Sequence, residues 1–187
     1  MLWDTHLHCH FSGDSSAACE DMIQAAINKN LKGICFTDHL DYDYKEEPGL
    51  FLLDLDNYAK EILSLKEKYK NIFPINFGIE LGLQPHVVSD NNKATSEYPF
   101  DIVIGSSHVV HGVDPYYPNY YDNRDEDTAY MEYFESIGRP LLEEYSKDLD
   151  SSLNTYYSQL SKKRNISFRT MNCCRSYTHT LRLLMQD

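Results

Sequence analysis

The sequence has no long apolar run. Nowhere do the ~18 consecutive residues needed to cross a bilayer occur, so no transmembrane segment is expected. It also lacks the basic n-region and apolar h-region of a secretory leader, opening instead on a strand-like segment. Cysteine is sparse and odd in number: there are five, with Cys173 and Cys174 adjacent and Cys9 between two histidines. That spacing supports neither a disulfide framework nor a cysteine-rich zinc knuckle, and a reduced cytoplasmic protein is expected. Positive charge is short as well, with 17 Lys/Arg against 29 Asp/Glu and a net charge of −12. A surface that coats nucleic acid carries a basic patch, so neither nucleic acid nor membrane is an expected partner. A phosphorylated small molecule stays open, because bound cations can reverse the local field.

What is present suits one globular domain. The 187 residues are 42% hydrophobic and 13% aromatic, enough for one core and too few for two ordinary domains. Strand-like and helix-like segments alternate. "MLWDTHLHC" reads as a strand, and in "SSAACEDMIQAAINKN" Cys19, Met22, Ile23, Ala26 and Ile27 share a helical face. "LKGICFTDHL" reads as a second strand. "LDNYAKEILSLKEKYKN" sets Leu55, Tyr58, Ala59, Ile62 and Leu65 on a helical stripe. "IFPINFGIELGL" and "FDIVIGSSHVV" read as the third and fourth strands, with a polar stretch between them that admits a short helix. "DEDTAYMEYFESI" starts another helix with its acids at the favourable end. Such alternation predicts a parallel sheet with helices outside it. Residues 151–187 differ: six Lys/Arg against one Asp give +5, whereas residues 1–150 carry 11 Lys/Arg and 28 Asp/Glu, net −17. The expected organisation is a domain over 1–150 followed by an atypical basic tail over 151–187.

The chemistry gathers at strand ends. His6, His8 and His10 alternate, so on a strand all three would point to one side. Imidazoles are poor core material, since each has a polar nitrogen that needs a partner. His39 of "TDH", Glu80 of "GIE" and His108 of "SSH" fall at the ends of the second, third and fourth strands. In parallel α/β folds ligands bind at the carboxyl ends of strands, and imidazole with carboxylate is a ligand set for Zn, Mn or Fe. Taken singly, each residue has a plainer reading. His6 and His8 suit surface or supporting histidines, and His10 a solvated loop residue. Asp14 suits a helix N-cap, and Asp38 a loop-holding acid. Glu80 is harder to set aside, because an acid after "INFGI" is costly to bury unpaired. His86, His111 and His179 are treated as ordinary.

Four motifs in order, "DTHLHCHFSGDS", "FTDHLDY", "GIELGLQP" and "IGSSHVV", resemble the polymerase and histidinol phosphatase (PHP) superfamily, nearest to its monofunctional histidinol-phosphatase branch. The resemblance covers about residues 1–137. It implies an α/β fold, an incomplete distorted (β/α)7 TIM-like barrel, with two or three divalent metal ions (Zn, Mn or Fe) at one rim. His6, His8 and Glu80 would bind the first metal, Glu80 would bridge to a second also held by His108, and Asp14 and His39 would bind the third. Glu80 and His39 would serve catalysis through bound metal. The implied reaction is hydrolysis of a phosphate monoester, L-histidinol phosphate in histidine biosynthesis. The alternatives are another PHP phosphoesterase or a metal-binding remnant with little activity, and self-association into a homo-oligomer is left open. Substrate-binding residues are not assigned. The later family segments, a "GH(L/I)D" run, a "DAH" run and a phosphate-binding arginine, are not found, and a truncated gene or a shifted reading frame is the expectation for the chain after Asp150.

Overall fold

The computed structural model describes residues 2–137. The expected domain boundary at Asp150 and the basic tail lie outside them. The described chain falls into two compact units, the first made of residues 2–82 and 93–105 and the second of residues 83–92 and 106–137.

The first unit is built on a parallel sheet. Its strands are β1 (Asp4–Leu7), β2 (Ile34–Phe36), β3 (His39–Leu40), β4 (Ile75–Gly82) and β5 (Ile102–Ser106). β2 and β3 both pair with β4, β1 flanks β2, and β5 pairs with β4. The second expected strand is therefore two short ones, yet their register is unbroken. Ile34 pairs with Ile75, Phe36 with Phe77, His39 with Glu80 and Leu40 with Leu81, a constant offset along β4. The gap at Thr37 and Asp38 has a cause in bonding. Thr37 N donates to Leu7 O at 2.9 Å, while Glu80 N reaches Asp38 O at 3.1 Å. The buried Asp38 carboxylate accepts from Cys9 N at 2.8 Å, so these two residues tie β1 to the sheet.

α1 (Cys19–Asn28) buries Cys19, Ile23 and Ala26, the apolar face expected. Its N-cap is Ala18, with Glu20 and Asp21 in the first turn; Asp14 does not cap it. α2 (Leu55–Tyr69) is capped by Asp54, whose side chain accepts from Asn57 N, and it buries Tyr58, Ala59, Ile62, Leu65 and Tyr69. Tyr58 meets Phe77 of β4 at a centroid distance of 5.3 Å. Its hydroxyl, which burial would otherwise leave unsatisfied, donates to Gly78 O at 2.8 Å. Phe77 in turn stacks on Phe100 at 4.5 Å. The polar stretch before β5 forms α3 (Val88–Glu97).

In the second unit, α4 (Glu126–Ser136) begins at Asp125, which accepts from Thr128 N. It contributes Ala129 and Tyr133 to a small cluster with Val110 and Tyr120, and Tyr120 Oη donates to Ala129 O at 2.7 Å. No described helix is long and apolar enough to cross a membrane.

Candidate metal centre

β1 carries an irregularity beside the histidine motif. Asp4 pairs with Ile34 but Leu7 with Phe36, so β1 holds one residue more than its partner. Such bulges re-aim side chains. His6, at the strand's edge, and His8, just past its end, both turn to Glu80 of β4. His6 Nε2 lies 3.5 Å from Glu80 Oε2 and His8 Nε2 3.1 Å from the same oxygen. His39, opposite Glu80 in the β3–β4 register, places Nδ1 3.4 Å from it. Three imidazoles thus face one carboxylate that is only 1% exposed.

Asp14 reaches the cluster from the loop after β1. Its Oδ2 lies 3.0 Å from His8 Nδ1 and 3.7 Å from His39 Nε2. The ligand-capable atoms of His6, His8 and Glu80 all lie within 4.8 Å of one another, as do those of His8, Asp14 and His39. His10 does not join them. β1 ends at Leu7, and the chain turns away as Ser12 N bonds Cys9 O and His10 N bonds Ala17 O. The expectation that three alternate histidines share a face fails at the third, which is exposed. His108 follows β5 by two residues and is half-buried in the second unit.

Two supporting residues were not singled out from the sequence. Thr37 Oγ1 lies 3.0 Å from His6 Nδ1 and donates to Leu7 O at 3.4 Å. A hydroxyl has a single proton; with that proton on Leu7 O the oxygen would accept from His6 Nδ1–H, a tautomer that presents the Nε2 lone pair toward Glu80. Asp41, buried, sets Oδ2 3.3 Å from His39 Nδ1. Gly82 makes room for it, since a Cβ there would stand 2.1 Å from Asp41 Oδ1. The available signal was "FTDHLDY" itself, with two acids flanking a histidine in a buried strand, and a glycine two places after Glu80.

The electrostatics follow. Burial works against a charged His8, but the Asp14 and Glu80 carboxylates outweigh it and lift the imidazole to about 9. Asp14, despite its own desolvation, is held far below the carboxylate range by hydrogen bonds from His8 and Ser12. A field that retains a proton this strongly also favours a divalent cation. The donor set fits one: the buried His8 Nε2 stands 3.1 Å from Glu80 Oε2, so without metal a proton on the imidazole answers the carboxylate, and a divalent cation between nitrogen and oxygen would take that proton's place.

The PHP domain model matches residues 4–167. The chain belongs to the PHP domain family. Its fold is the incomplete, distorted barrel of PHP type, a mixed α/β chain with a curled parallel sheet. A probable histidinol-phosphatase of Clostridium acetobutylicum is 35% identical over 137 residues, covering 73% of this chain and 51% of that protein. The histidinol-phosphatase of Lactococcus lactis is 34% identical over 132 residues, 70% of this chain and 48% of its own. A probable histidinol-phosphatase of Deinococcus radiodurans is 29% identical over 138 residues, 71% and 53% of the two chains. The crystal structure of the Lactococcus lactis histidinol phosphate phosphatase, with zinc, L-histidinol and phosphate, superposes with a TM-score of 0.67 at 33% identity, covering 72% of this chain and 51% of that one. This PHP chain spans about half the length of the curated relatives it matches.

Proposed function

We propose that this PHP domain is a metal-dependent phosphoesterase that hydrolyses a phosphate monoester, with L-histidinol phosphate as substrate, in the cytoplasm and in histidine biosynthesis. The convergence of His6, His8 and His39 nitrogens on the buried Glu80 carboxylate carries the reading. Zinc, L-histidinol and phosphate in the structure of the Lactococcus lactis relative support the choice of ligands.

His6, His8 and Glu80 would hold one ion and Asp14 with His39 another. The family pattern adds His108, with Glu80 bridging, for a total of two or three Zn, Mn or Fe ions. Bound divalent ions acidify water and offset phosphoryl charge. The chain's own residues prepare that chemistry. Thr37, 3.0 Å from His6 Nδ1 and bonded to Leu7 O, would keep the proton on Nδ1 and free Nε2. Asp41, facing His39 Nδ1, orients that ring so that Nε2 points at Asp14. Glu80 and Asp14 supply the negative charge that lets an acidic protein gather cations and then a phosphate dianion. The charge step from −17 to +5 supports a domain over 1–150 and a separate basic tail.

Two measurements test the reading. Metal-replete purification should leave at least one Zn, Mn or Fe per chain, and Glu80→Ala should carry about one equivalent less than the parent; under about a tenth of an equivalent in the parent would overturn the centre. Phosphate release with added Zn or Mn should favour L-histidinol phosphate over other monoesters. A metal-loaded chain that releases no phosphate from any of them would overturn the hydrolytic reading.

A further inference from the structure

A second group of donors lies on the far side of the same loop. Cys9 Sγ and Cys19 Sγ are 3.2 Å apart, and Cys19 Sγ is 3.8 Å from His10 Nδ1. All three atoms lie within 4.8 Å of one another. Around a tetrahedral zinc-sized ion, with metal–sulfur bonds of ~2.3 Å and metal–nitrogen bonds of ~2.0 Å, neighbouring donors stand roughly 3.3–3.8 Å apart. The two sulfurs would have to move apart by about half an ångström to reach the ~3.8 Å of a sulfur pair on such an ion, and the sulfur–nitrogen spacing is within a few tenths of its own ~3.5 Å.

We propose that Cys9 Sγ, Cys19 Sγ and His10 Nδ1 form a site for one soft divalent cation, zinc-like in chemistry and separate from the imidazole–carboxylate cluster. Two thiolates and an imidazole suit such an ion. On binding, the ion replaces the two thiol protons, which leave to solvent, so that ion and thiolates together are neutral.

The surroundings support this placement. His10 Nε2 lies 3.8 Å from Glu61 Oε2, beyond hydrogen-bond reach but near enough for the carboxylate to become the ring's partner once Nδ1 binds an ion, as partners of ligating histidines do. Asp38, 3.2 Å from Cys9 Sγ, keeps its bond from Cys9 N after the thiol proton has gone; together with Cys19 and burial its charge holds the free Cys9 thiol protonated, so the thiolate forms only with the cation in place. Both cysteines are fully buried while His10 is 41% exposed, which leaves an entry path and a fourth position for water. The cation would clip Cys9 to the first residue of α1 and so close the loop that carries Asp14.

The test is Co²⁺ titration of the reduced full chain in a Cys173→Ser/Cys174→Ser background, read by thiolate-to-cobalt charge-transfer absorption. The imidazole–carboxylate cluster has no sulfur and gives no such band, so failure here is separate from failure of the phosphoesterase centre. One equivalent of band is expected. Cys19→Ser should abolish it, and Glu61→Gln should weaken cobalt binding about tenfold. His10→Ala, on a side chain that is 41% exposed, should weaken it by at least as much. Absence of the band in the folded parent, or an undiminished band in both His10→Ala and Cys19→Ser, would overturn the site.

Discussion

The two halves of β4 are one strand with different chemistry. Its first half, Ile75–Ile79, pairs with the wholly apolar β2 and holds Phe77 between Tyr58 and Phe100. Its second half begins at Glu80, pairs with β3, and faces three imidazoles. Burial is near complete in both, so burial alone does not separate them. In the first half burial is favourable, since it removes apolar surface from water. In the second it carries a charge whose desolvation costs several kcal/mol unless compensated. The lesson is that the apolar half positions the charged half: a rigid, close-packed strand fixes where Glu80 stands.

The contrast can be broken from either side. Phe77→Ala should destabilise the fold by about 3–5 kcal/mol through lost burial and a cavity, measured by urea unfolding of metal-free protein. A cost below about 1 kcal/mol would mean that the first half is not the support. Glu80→Gln nearly preserves shape and removes the charge. It should lower affinity for a rim cation at least a hundredfold, about 2.7 kcal/mol, measured by zinc competition with a chelator. Metal-free stability should change by much less than in Phe77→Ala. If the two variants swapped effects, the division of β4 would be wrong.

The same division marks how far the sequence could be read. The helical stripes of α1 and α2 and all the strand segments were legible, because periodicity reports which face is buried. So was the cluster of His6, His8, Asp14, His39 and Glu80, through motifs in order. The break at Thr37–Asp38 was not. It arises from bonds to Leu7, Cys9 and Glu80, partners set by tertiary structure. His10 follows its solvated-loop reading and leaves the face that strict alternation would give it: alternation holds only while the strand lasts, and backbone closures from His10 to Ala17 and Ser12 to Cys9 end it. Thr37 and Asp41 went unnoticed because a threonine or aspartate in a strand means little until the ring nitrogen opposite is known.

A smaller effect should appear in pH. His8 is raised to about 9 from an ordinary 6.5, so its protonated form favours the fold. That stabilisation is complete below about pH 6.5 and is lost as pH rises through 9. The lowered Asp14 reports the same ion pair from the acid side: its contribution is present above the usual carboxylate range and disappears as pH falls below it. Counted once, and reduced for solvent screening at Asp14, which is 40% exposed, the loss is on the order of 2 kcal/mol. Metal-free protein should therefore weaken between pH 6.5 and 9. Zinc-loaded protein should strengthen over the same interval, because ion and proton compete for the same nitrogen. Parallel slopes in urea unfolding of the two forms would show that His8 does not exchange its proton for metal.

The smallest expected effect tests the tautomer. Thr37 is fully buried, and its hydroxyl stands between Leu7 O and His6 Nδ1. Thr37→Val keeps the branched shape but removes both bonds. His6 then loses the acceptor that holds its proton on Nδ1, and the ring is free to carry the proton on Nε2, where the cation should bind. Stability should fall by only about 1–2 kcal/mol, the cost of leaving one buried group without a partner. Zinc affinity should fall about tenfold, as when the partner of a ligating histidine is removed elsewhere. Nitrogen chemical shifts of His6 in the metal-free protein separate this from simple loosening. The parent should show the proton on Nδ1, and the variant a shift toward Nε2. Unchanged shifts with reduced zinc affinity would place the role of Thr37 in packing β1 against the sheet, and the orientation of His6 would then rest on the bulge in β1 alone.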